Sequence, residues 1–564
     1  MKNTFQSDRF ATIRRNILST LAAGISAVAL GQGPLDPALL TKPATNAWPT
    51  YHGDYSGRHF STLKQITAEN AHGLTLAWMY HTPATNDGAI LGGDVAPVPP
   101  GRGGGFAPSS GRGPAIKAIP LMVNGVLYLS VPGHAYAVDA RTGQQIWHYY
   151  WRGRGAIGNR GMGMYGSWLF METGDNRIVS LNAATGQERW HKDLVENGDG
   201  DFSTTAPIAI RNHILVGVGG DGGQGRGWIQ ALDPETGDLQ WKWTTTPNPG
   251  DAALATWPSA EAAEHGSGGI WQPPTYDPEL NMLYVVTGQP TPTYNGRGRP
   301  GSNLYTDCVV ALNADTGKMA WYYQFSPHDT HDWDATEVPI LIDGTLNGQP
   351  RKLLAQPNRN GYYFLLDRTS GKSLVVKPIF PDVNGYKGPD ANGVLIPDPA
   401  KEPSPDGSLV FPTSDGVVNY PAPSFDPETG LLYYNATNDA SIFYAARDPN
   451  DPTGFGRTQE HHTWFNESFM FAVDYRTGEV KWQHKYPDMG WLGGTYGGAL
   501  STSGGVLFGG DPSGNFIAFD ARTGKILWHA PTGGITNSPE TYMLDGKQYV
   551  VAAGGDTLYA FYLQ

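Results

Sequence analysis

The sequence predicts an all-β protein built from repeats, an eight-bladed β-propeller, and three observations support this prediction. The chain of 564 residues is longer than one compact hydrophobic core usually supports. It contains 74 glycines and 44 prolines, which indicates many turns, and its aromatic fraction of 12% is too high for a disordered chain. One short phrase also recurs along almost the whole length, which is typical of repeat architectures.

The recurring phrase is close to Ala-x-Asp-x-x-Thr-Gly-x-x-x-Trp, with Asn for Asp in some copies. Alternating apolar residues before it predict a strand, the Asp and Thr-Gly predict a tight turn, and the apolar residues up to Trp predict the next strand. One such hairpin cannot bury its own faces, so the units must stack as propeller blades. The full copies are residues 137–147, 180–190, 231–241, 311–321, 472–482 and 518–528, with a seventh at 365–375 that ends in Val375 and an eighth that keeps only the tail up to Trp78.

These units predict a single propeller domain over residues 45–564. The intervals from Asp233 to Asn313 and from Asp367 to Asp474 are wider than one unit. Eight units are already accounted for, so no unit is missing from these intervals, and we expect inserted loops there. Residues 92–114 combine Gly, Pro and Ser without alternation, and this composition predicts a surface loop.

Residues 1–31 have the pattern of a secretory signal peptide. The basic residues Lys2, Arg9, Arg14 and Arg15 precede an uncharged apolar stretch with small residues near its end. This stretch is shorter than a typical transmembrane helix, and an uncleaved membrane anchor is the alternative. We therefore expect export to the periplasm, by the general or the twin-arginine route, and a soluble protein after cleavage.

Charge and cysteine content exclude several partners and cofactors. A formal net charge of −13 gives no general attraction for phosphate backbones, so we do not expect nucleic acid as a partner. Cys308 is the only cysteine. An intramolecular disulfide, the Cys-x-x-Cys-His motif of a c-type haem and cysteine-based zinc or iron–sulfur sites are thereby excluded. The sequence thus predicts a protein without haem.

Eight Thr-Gly-x-x-x-Trp units in a chain of this size closely resemble the quinoprotein alcohol dehydrogenases, the methanol and ethanol dehydrogenase family. The likeness extends from residues 48–67 through 76–82 to 554–564. The resemblance implies an eight-bladed propeller with pyrroloquinoline quinone on its axis and a calcium or lanthanide ion beside the quinone. It also implies an aspartate that takes the proton of a small alcohol substrate while hydride passes to the quinone.

The resemblance assigns the quinone contacts residue by residue. Trp271 lies outside the repeat register and corresponds to the indole beneath the quinone ring, where flat aromatic stacking suits such a ligand. Two arginines correspond to contacts with quinone oxygens, for which a planar and permanently charged guanidinium is suited. Structural roles are the alternatives: a blade tryptophan, a surface salt bridge or a satisfied turn residue. These two arginines are Arg160 and Arg359. The other implied contacts are Thr204, Asn419 and Trp491.

Residues 326–339, SPHDTHDWDATEVP, match the catalytic loop of the family. Asp332 corresponds to the general base, and Asp334 to an additional acid of the lanthanide-using members; both are implied metal ligands. A carboxylate beside a cation can act as a base while the opposite charge keeps it ionised. Without the resemblance, the histidines and acids of this loop could form an independent metal cluster, or the segment could be an acidic turn.

The chain departs from the family at four places. Lys117 replaces a glutamate that contacts the quinone, so the charge is reversed. Residues 148–159 lack the vicinal cysteine pair of many members. Among the implied metal ligands, Asp221 lies one residue before the expected glutamate, and Gln289 replaces an asparagine. Lys117 either supplies the lost cation charge or pairs with the acids of the catalytic loop.

Two functions are compatible with these residues. The first is an exported quinoprotein dehydrogenase that oxidises an alcohol or polyol and passes electrons to a separate cytochrome or membrane quinone. The second is a cofactor-empty propeller that acts as a binding or scaffold protein, because a fold can outlast its chemistry. The four departures fall at one site and keep the second function open.

Overall fold

The structure of the protein is a computed structural model that describes residues 33–83, 85–93, 114–153, 160–195, 204–218, 225–335, 337–451, 453–487 and 497–564. The predicted signal peptide, most of the loop 92–114, Asp221 and Trp491 lie outside these ranges.

Short strands account for most of the regular structure in these ranges. The first are β1 (Phe60–Ser61), β2 (Leu74–His81), β3 (Ile90–Gly92), β4 (Leu121–Val123), β5 (Val126–Val131), β6 (His134–Asp139), β7 (Gln145–Trp151), β8 (Gly163–Tyr165), β9 (Trp168–Glu172), β10 (Arg177–Asn182), β11 (Glu188–Asp193), β12 (Ile208–Ile210) and β13 (His213–Gly217). The next are β14 (Trp228–Leu232), β15 (Leu239–Thr244), β16 (Thr275–Asp277), β17 (Met282–Val286), β18 (Cys308–Asn313), β19 (Met319–Gln324), β20 (Ile340–Leu346), β21 (Gln349–Pro357), β22 (Tyr362–Asp367), β23 (Lys372–Pro378), β24 (Tyr386–Pro389) and β25 (Leu395–Pro397). The last are β26 (Ser408–Val410), β27 (Ser424–Asp426), β28 (Leu431–Arg447), β29 (Phe455–Asp474), β30 (Glu479–Lys485), β31 (Leu500–Thr502), β32 (Val506–Gly510), β33 (Asn515–Asp520), β34 (Ile526–Pro531), β35 (Glu540–Leu544), β36 (Lys547–Gly554) and β37 (Thr557–Leu563).

Helical structure is limited to short segments. They are the α-helix α1 (Ala260–Glu264) and the 3-10 helices Pro37–Thr41, Ala71–Gly73, Ala252–Thr256, Gly296–Gly298 and Pro399–Lys401. No helix in the described ranges has the length and apolar character that a membrane crossing requires.

The strands form eight antiparallel blades of four strands, which confirms the predicted eight-bladed propeller. Blades 1 to 7 contain β4–β7, β8–β11, β12–β15, β16–β19, β20–β23, β27–β30 and β31–β34, and blade 8 contains β35–β37 with β2 as its outer strand. The strands β3, β26 and β1 add to the edges of blades 1, 6 and 7. Buried side chains fill the space between blades, and one cluster runs from Leu121 of blade 1 to Val310 of blade 4.

The repeat tryptophans join neighbouring blades. Each lies on the outer strand of its blade, and its indole N–H donates to a backbone carbonyl just before the Thr-Gly turn of the next blade. The glycine of that turn has a positive φ and lies against the indole face, where a Cβ would collide with the ring. The donor and acceptor pairs are Trp78 and Ala140 (3.0 Å), Trp147 and Ala183 (2.9 Å), Trp190 and Glu235 (2.9 Å), Trp241 and Ala314 (2.9 Å), Trp321 and Arg368 (3.2 Å), and Trp482 and Ala521 (3.0 Å).

The joint after the copy that ends in Val375 uses a tyrosine instead. The Tyr363 hydroxyl donates to the carbonyl of Tyr475, three residues before Gly478, and the Tyr363 ring lies against that glycine. The donor to the turn carbonyl is therefore retained although the tryptophan is lost. Trp528, at the last joint, packs edge to face on Phe561 at 4.9 Å between ring centroids.

Pairing between the two ends of the described chain closes the ring. Strand β2 pairs with β37 antiparallel from Leu74 opposite Leu563 to His81 opposite Thr557. Blade 8 thus combines the beginning and the end of the propeller, and no long sheet edge is left between them.

Both wide intervals between repeat copies contain inserted structure, as expected. The interval before Asn313 holds α1 and two of the 3-10 helices. The interval before Asp474 holds the small sheet β24–β25 and a long hairpin made of β28 and β29. This hairpin extends well past the length of the other blade strands and forms one wall of the site described next.

Candidate functional site

Most predicted site residues lie on one face of the propeller for a topological reason. In an antiparallel four-strand blade, the start of the first strand and the turn between the second and third strands are at the same end. The Thr-Gly turns join the third and fourth strands and are at the opposite end. Lys117, Arg160, Thr204, Trp271, Asp332 with Asp334, and Asn419 precede the first strands of blades 1 to 6, and Gln289 and Arg359 follow the second strands of blades 4 and 5.

Asp334 is the centre of the site and is almost completely buried. Its Oδ2 accepts hydrogen bonds from Trp271 Nε1 at 3.0 Å and from Arg359 Nη1 at 3.0 Å. Its Oδ1 accepts a hydrogen bond from the backbone N–H of Gln289 at 2.5 Å. Both carboxylate oxygens are therefore engaged, and blades 4 and 5 are held together at the axis.

Asp332 lies two residues earlier and is more accessible. Its side chain is 24% exposed, and its Oδ2 lies 3.8 Å from Arg359 Nη2. The residue adopts a φ of 70°, a left-handed conformation that costs on the order of 1–3 kcal/mol in a residue other than glycine. Arg359 thus contacts the carboxylates of both Asp332 and Asp334.

The indole of Trp271 is stacked with a cation. The Arg160 guanidinium lies 4.4 Å from the Trp271 ring centroid and 4.8 Å from that of Tyr420, so it is sandwiched between two aromatic rings. Arg160 Nη1 also donates to Thr204 Oγ1 at 2.8 Å. Gly269, Gly288 and Asp334 line a cavity beside the indole that is too small for a water molecule. A flat ligand that stacks on the face covered by Arg160 would have to displace the guanidinium.

Lys117 and Asn419 flank this stack in different ways. The Lys117 ammonium lies 5.8 Å from the Tyr420 ring centroid, and it makes no ion pair with any described residue. It therefore stands beside the aromatic stack rather than on the acids of the catalytic loop. Asn419 is a satisfied turn residue, because its amide bonds the carbonyl of Asp415 at 2.9 Å and the N–H of Tyr420 at 2.8 Å.

The other polar residues of the catalytic loop have structural partners. His328 Nδ1 bonds the carbonyl of Gly301 and His331 Nε2 that of Lys401, both at 2.8 Å. Asp329 accepts the backbone N–H groups of His331 at 2.9 Å and of Trp333 at 2.7 Å. The alternative of an independent metal cluster in this loop therefore does not match the described geometry.

Three contributors to the site were not predicted from the sequence. Tyr420 supplies the second ring of the stack. Ser414 accepts a hydrogen bond from Arg359 Nε at 2.6 Å through its carbonyl and is held in turn by Glu460 of the long hairpin. Burial, with the charges of Asp332 and Glu460, raises the pKa of Tyr294, so its hydroxyl stays protonated. Only Tyr420, next to Asn419, lay within a motif that could have indicated it.

The described residues fit a planar, anionic quinone. They offer an indole face that already carries a flat group, cations for carboxylates or ring oxygens, and the buried Gln289 Nε2, which has no hydrogen-bond partner among the described residues. They do not assemble a metal cage. No group of three or more His, Cys, Asp or Glu side chains within the described ranges is arranged to hold a metal ion.

Comparison with known proteins identifies the family. The family profile "PQQ: Glucose/ethanol/alcohol dehydrogenase, beta-propeller domain" matches residues 48–380 and 468–550. The chain is 34% identical to the quinohemoprotein alcohol dehydrogenase of Comamonas testosteroni over 91% of this chain and 73% of the relative. It is 31% identical to the 1-butanol dehydrogenase (cytochrome c) of Thauera butanivorans over 95% of this chain and 78% of the relative.

Solved structures give the same result. The crystal structure of the Comamonas testosteroni enzyme aligns with a TM-score of 0.81 at 31% identity, covering 94% of this chain and 82% of that one. A europium-containing methanol dehydrogenase aligns with a TM-score of 0.79 at 26% identity, covering 93% and 99%. The resemblance inferred from the repeats is thus confirmed.

The names of the relatives correct one prediction. The lone cysteine led to the expectation of a protein without haem, and this prediction is wrong in view of relatives that are quinohemoprotein alcohol dehydrogenases. The reasoning failed because the count of cysteines bears only on covalent attachment of haem to this chain.

Family profile, relatives and solved structures agree with one another and with the stacked tryptophan at the axis. The chain belongs to the PQQ-dependent quinoprotein alcohol dehydrogenase family and is an alcohol dehydrogenase-like oxidoreductase.

Proposed function

We propose that this protein is an exported dehydrogenase that oxidises a small alcohol with pyrroloquinoline quinone, with Asp332 as the general base. The contact of Arg359 with both Asp332 and Asp334 carries this proposal, because it places a partly exposed carboxylate beside a fixed cation at the axis. When bound, the quinone would accept the hydride of the alcohol carbon.

The residues of the site would have different roles in the reaction of the substrate. The Asp332 carboxylate would accept the hydroxyl proton, and the nearby guanidinium favours its ionised form until then. Asp334 fixes Trp271 and Arg359 through hydrogen bonds and thereby holds both the stacking surface and the cation. The products would be an aldehyde or ketone and a protonated Asp332, with the hydride passed to the quinone.

The electrons would then pass to an acceptor protein or quinone. The Thauera butanivorans relative is named as a cytochrome c-linked 1-butanol dehydrogenase, which supports a cytochrome as acceptor and a primary alcohol as substrate. The alternative of a cofactor-empty scaffold is not favoured by the match to alcohol dehydrogenases over most of the chain.

A reconstitution assay tests the chemistry. The purified protein is incubated with pyrroloquinoline quinone and excess calcium or lanthanum, and oxidation of primary alcohols is followed with an artificial electron acceptor. We expect turnover in the parent and a loss of roughly 10²–10⁴-fold in Asp332→Asn, the range typical of general bases. Asp545→Asn is a matched change at an exposed carboxylate remote from the site and should retain full activity. Equal activity in Asp332→Asn and the parent would reject Asp332 as the base.

Export is tested separately. The charged start and apolar stretch within residues 1–31 support it. Expression of the full chain followed by fractionation and N-terminal sequencing should place a mature form that lacks about 31 residues in the periplasm. An uncleaved chain in the membrane fraction would favour the anchor.

A further inference from the structure

Arg359 occupies a position between two carboxylates at the propeller axis. Its Nη1 lies 3.0 Å from Asp334 Oδ2, and its Nη2 lies 3.8 Å from Asp332 Oδ2. Its Nε donates to the carbonyl of Ser414 at 2.6 Å, and its side chain is only 9% exposed. A fixed internal cation therefore neutralises the two carboxylates that the family resemblance assigns to a metal ion.

Asp334 has no oxygen left for a metal without loss of existing bonds. Ligation through Oδ1 would break the bond from Gln289 N, and ligation through Oδ2 would compete with Arg359 and with Trp271 Nε1. Each of these hydrogen bonds involves an ionised acceptor, and such bonds are about twice as strong as neutral ones.

The Gln289 amide carries an unsatisfied donor. Its Nε2 is buried and has no hydrogen-bond partner among the described residues, and its side chain is 2% exposed. A buried donor without an acceptor is costly, so an oxygen atom of a ligand is the partner that it requires. An amide N–H at this point would oppose a metal ion and would favour an anionic ligand.

The cations beside the stack suit an anionic ligand. Arg359 contacts the Asp332 and Asp334 carboxylates, whereas Lys117 and Arg160 contact the aromatic rings of Trp271 and Tyr420. Lys117 and Arg160 are therefore placed to meet the carboxylates of a quinone.

On the basis of the proposed function, we infer that this chain binds its quinone without calcium or a lanthanide. Arg359 takes the position of the metal between the two carboxylates, and Lys117 and Arg160 neutralise the carboxylates of the quinone. Gln289 Nε2 donates to a quinone oxygen. The reversal of charge at position 117 and the change to glutamine at position 289 are then parts of one adaptation.

A binding titration tests this inference without reference to turnover. The purified full chain is treated with EDTA and then titrated with pyrroloquinoline quinone in EDTA, in calcium or in lanthanum, with tryptophan fluorescence and equilibrium dialysis as readouts. We expect dissociation constants that agree within about twofold in the three conditions, since a difference below 0.4 kcal/mol is about twofold. Binding that is about tenfold or more tighter with either metal than in EDTA would overturn the inference and leave the proposed function standing. Absence of binding in all three conditions would reject the proposed function itself.

Charge variants separate this inference from a general effect of basic residues. Lys117→Glu should weaken binding in EDTA by roughly 10–100-fold, the value of one charge-assisted hydrogen bond, and calcium should restore part of it. Lys242→Glu is the matched control, because Lys242 also lies over an aromatic ring, 4.8 Å from the Trp228 ring centroid, but on blade 3. It should bind the quinone as the parent does. Equal binding by Lys117→Glu and the parent in EDTA would contradict the role of Lys117.

Discussion

Two tryptophans, Trp241 at a blade joint and Trp271 at the axis, use the same indole N–H for different purposes. Trp241 donates to the backbone carbonyl of Ala314 at 2.9 Å and covers Gly317 with its ring. Trp271 donates to the Asp334 carboxylate at 3.0 Å, and its ring is half-buried against Arg160. The first is one of a repeated set, and the second lies outside that set.

The difference shows why repeats reveal a fold more readily than a site. A joint requires only an indole, a backbone carbonyl and a glycine, so the same short phrase can build it several times. The axial tryptophan depends on particular side chains from blades 2, 4, 5 and 6, which have no repeat to mark them. The following predictions test this separation between joint and axis.

The largest effect is expected from removal of a joint indole. Trp241→Ala should lower the free energy of unfolding by about 3–5 kcal/mol, because a large buried ring and its cavity are involved. Trp271→Ala should cost much less stability, since its side chain is half-buried, yet it should weaken quinone binding by about tenfold or more. Chemical denaturation followed by circular dichroism, with quinone titration, measures both. Similar losses of stability in the two variants would contradict the distinction between a structural tryptophan at a joint and a ligand-binding tryptophan at the axis.

The long hairpin should make the stability depend on pH, whereas a joint such as that of Trp241 involves only neutral groups. Asp439, on the long hairpin, accepts hydrogen bonds from Thr413, and burial raises its pKa from 3.8 to about 7. Between these values the folded protein holds a proton that the unfolded chain has released. The free energy of unfolding should therefore fall as pH rises from about 4 to 7, by an amount on the order of 2–4 kcal/mol from this group.

Asp439→Asn should lack this component of the pH dependence. Denaturation midpoints at pH 5 and pH 8 compare the variant with the parent, and Asp545→Asn controls for loss of a surface carboxylate. An identical pH dependence in Asp439→Asn and the parent would show that Asp439 ionises normally in the folded state.

A smaller effect is expected from a methyl group at a joint glycine. Gly317 has a φ of 65° and lies against the Trp241 ring, whereas Gly348 has a φ of 76° and open space around it. Alanine at either position pays backbone strain of about 1 kcal/mol. Gly317→Ala should lose a further 1–3 kcal/mol or so from overpacking against the indole. Equal denaturation midpoints for the two variants would mean that the Trp241 indole moves aside without loss of stability.

The smallest effect is expected where a tyrosine replaces the missing joint tryptophan. Tyr363→Phe should cost about 1 kcal/mol, because the Tyr475 carbonyl loses its side-chain donor. Tyr284→Phe is the matched control: Tyr284 donates to the Arg368 carbonyl, which Trp321 Nε1 also contacts at 3.2 Å. It should cost less than Tyr363→Phe in thermal denaturation. A larger loss of stability in Tyr284→Phe than in Tyr363→Phe would argue that the Tyr363 hydroxyl does not replace the missing tryptophan as the donor.

The sequence was sufficient for the architecture of the molecule and for much of the composition of the site. The repeat phrase predicted eight blades and their joints, and the motif matches located Trp271, Arg160, Arg359, Asp332 and Asp334, which the structure brings together. The fold prediction succeeds because short-range turn chemistry defines the repeat, and position on a blade fixes which of these residues lie near one another.

The remaining features depend on contacts between distant segments. Stacking of Arg160 between Trp271 and Tyr420 joins blades 2, 4 and 6, and no local pattern specifies which face of an indole a guanidinium will cover. The support of Arg359 by Ser414 and Glu460 involves an insertion outside the repeat. The role of Tyr363 was hidden because a tyrosine within a strand is ordinarily a core residue.

Closure of the ring by β2 and β37 bears on how the protein opens. An open stack of repeats can fray from its ends, since each terminal unit has one neighbour only. Here the outer strand of blade 8 comes from the beginning of the propeller and the other three strands come from its end. Neither segment can be released without breaking the register from Leu74 to His81. Backbone amides of β2 should therefore exchange with solvent as slowly as those of interior blades, because their exposure requires the closed ring of blades to open.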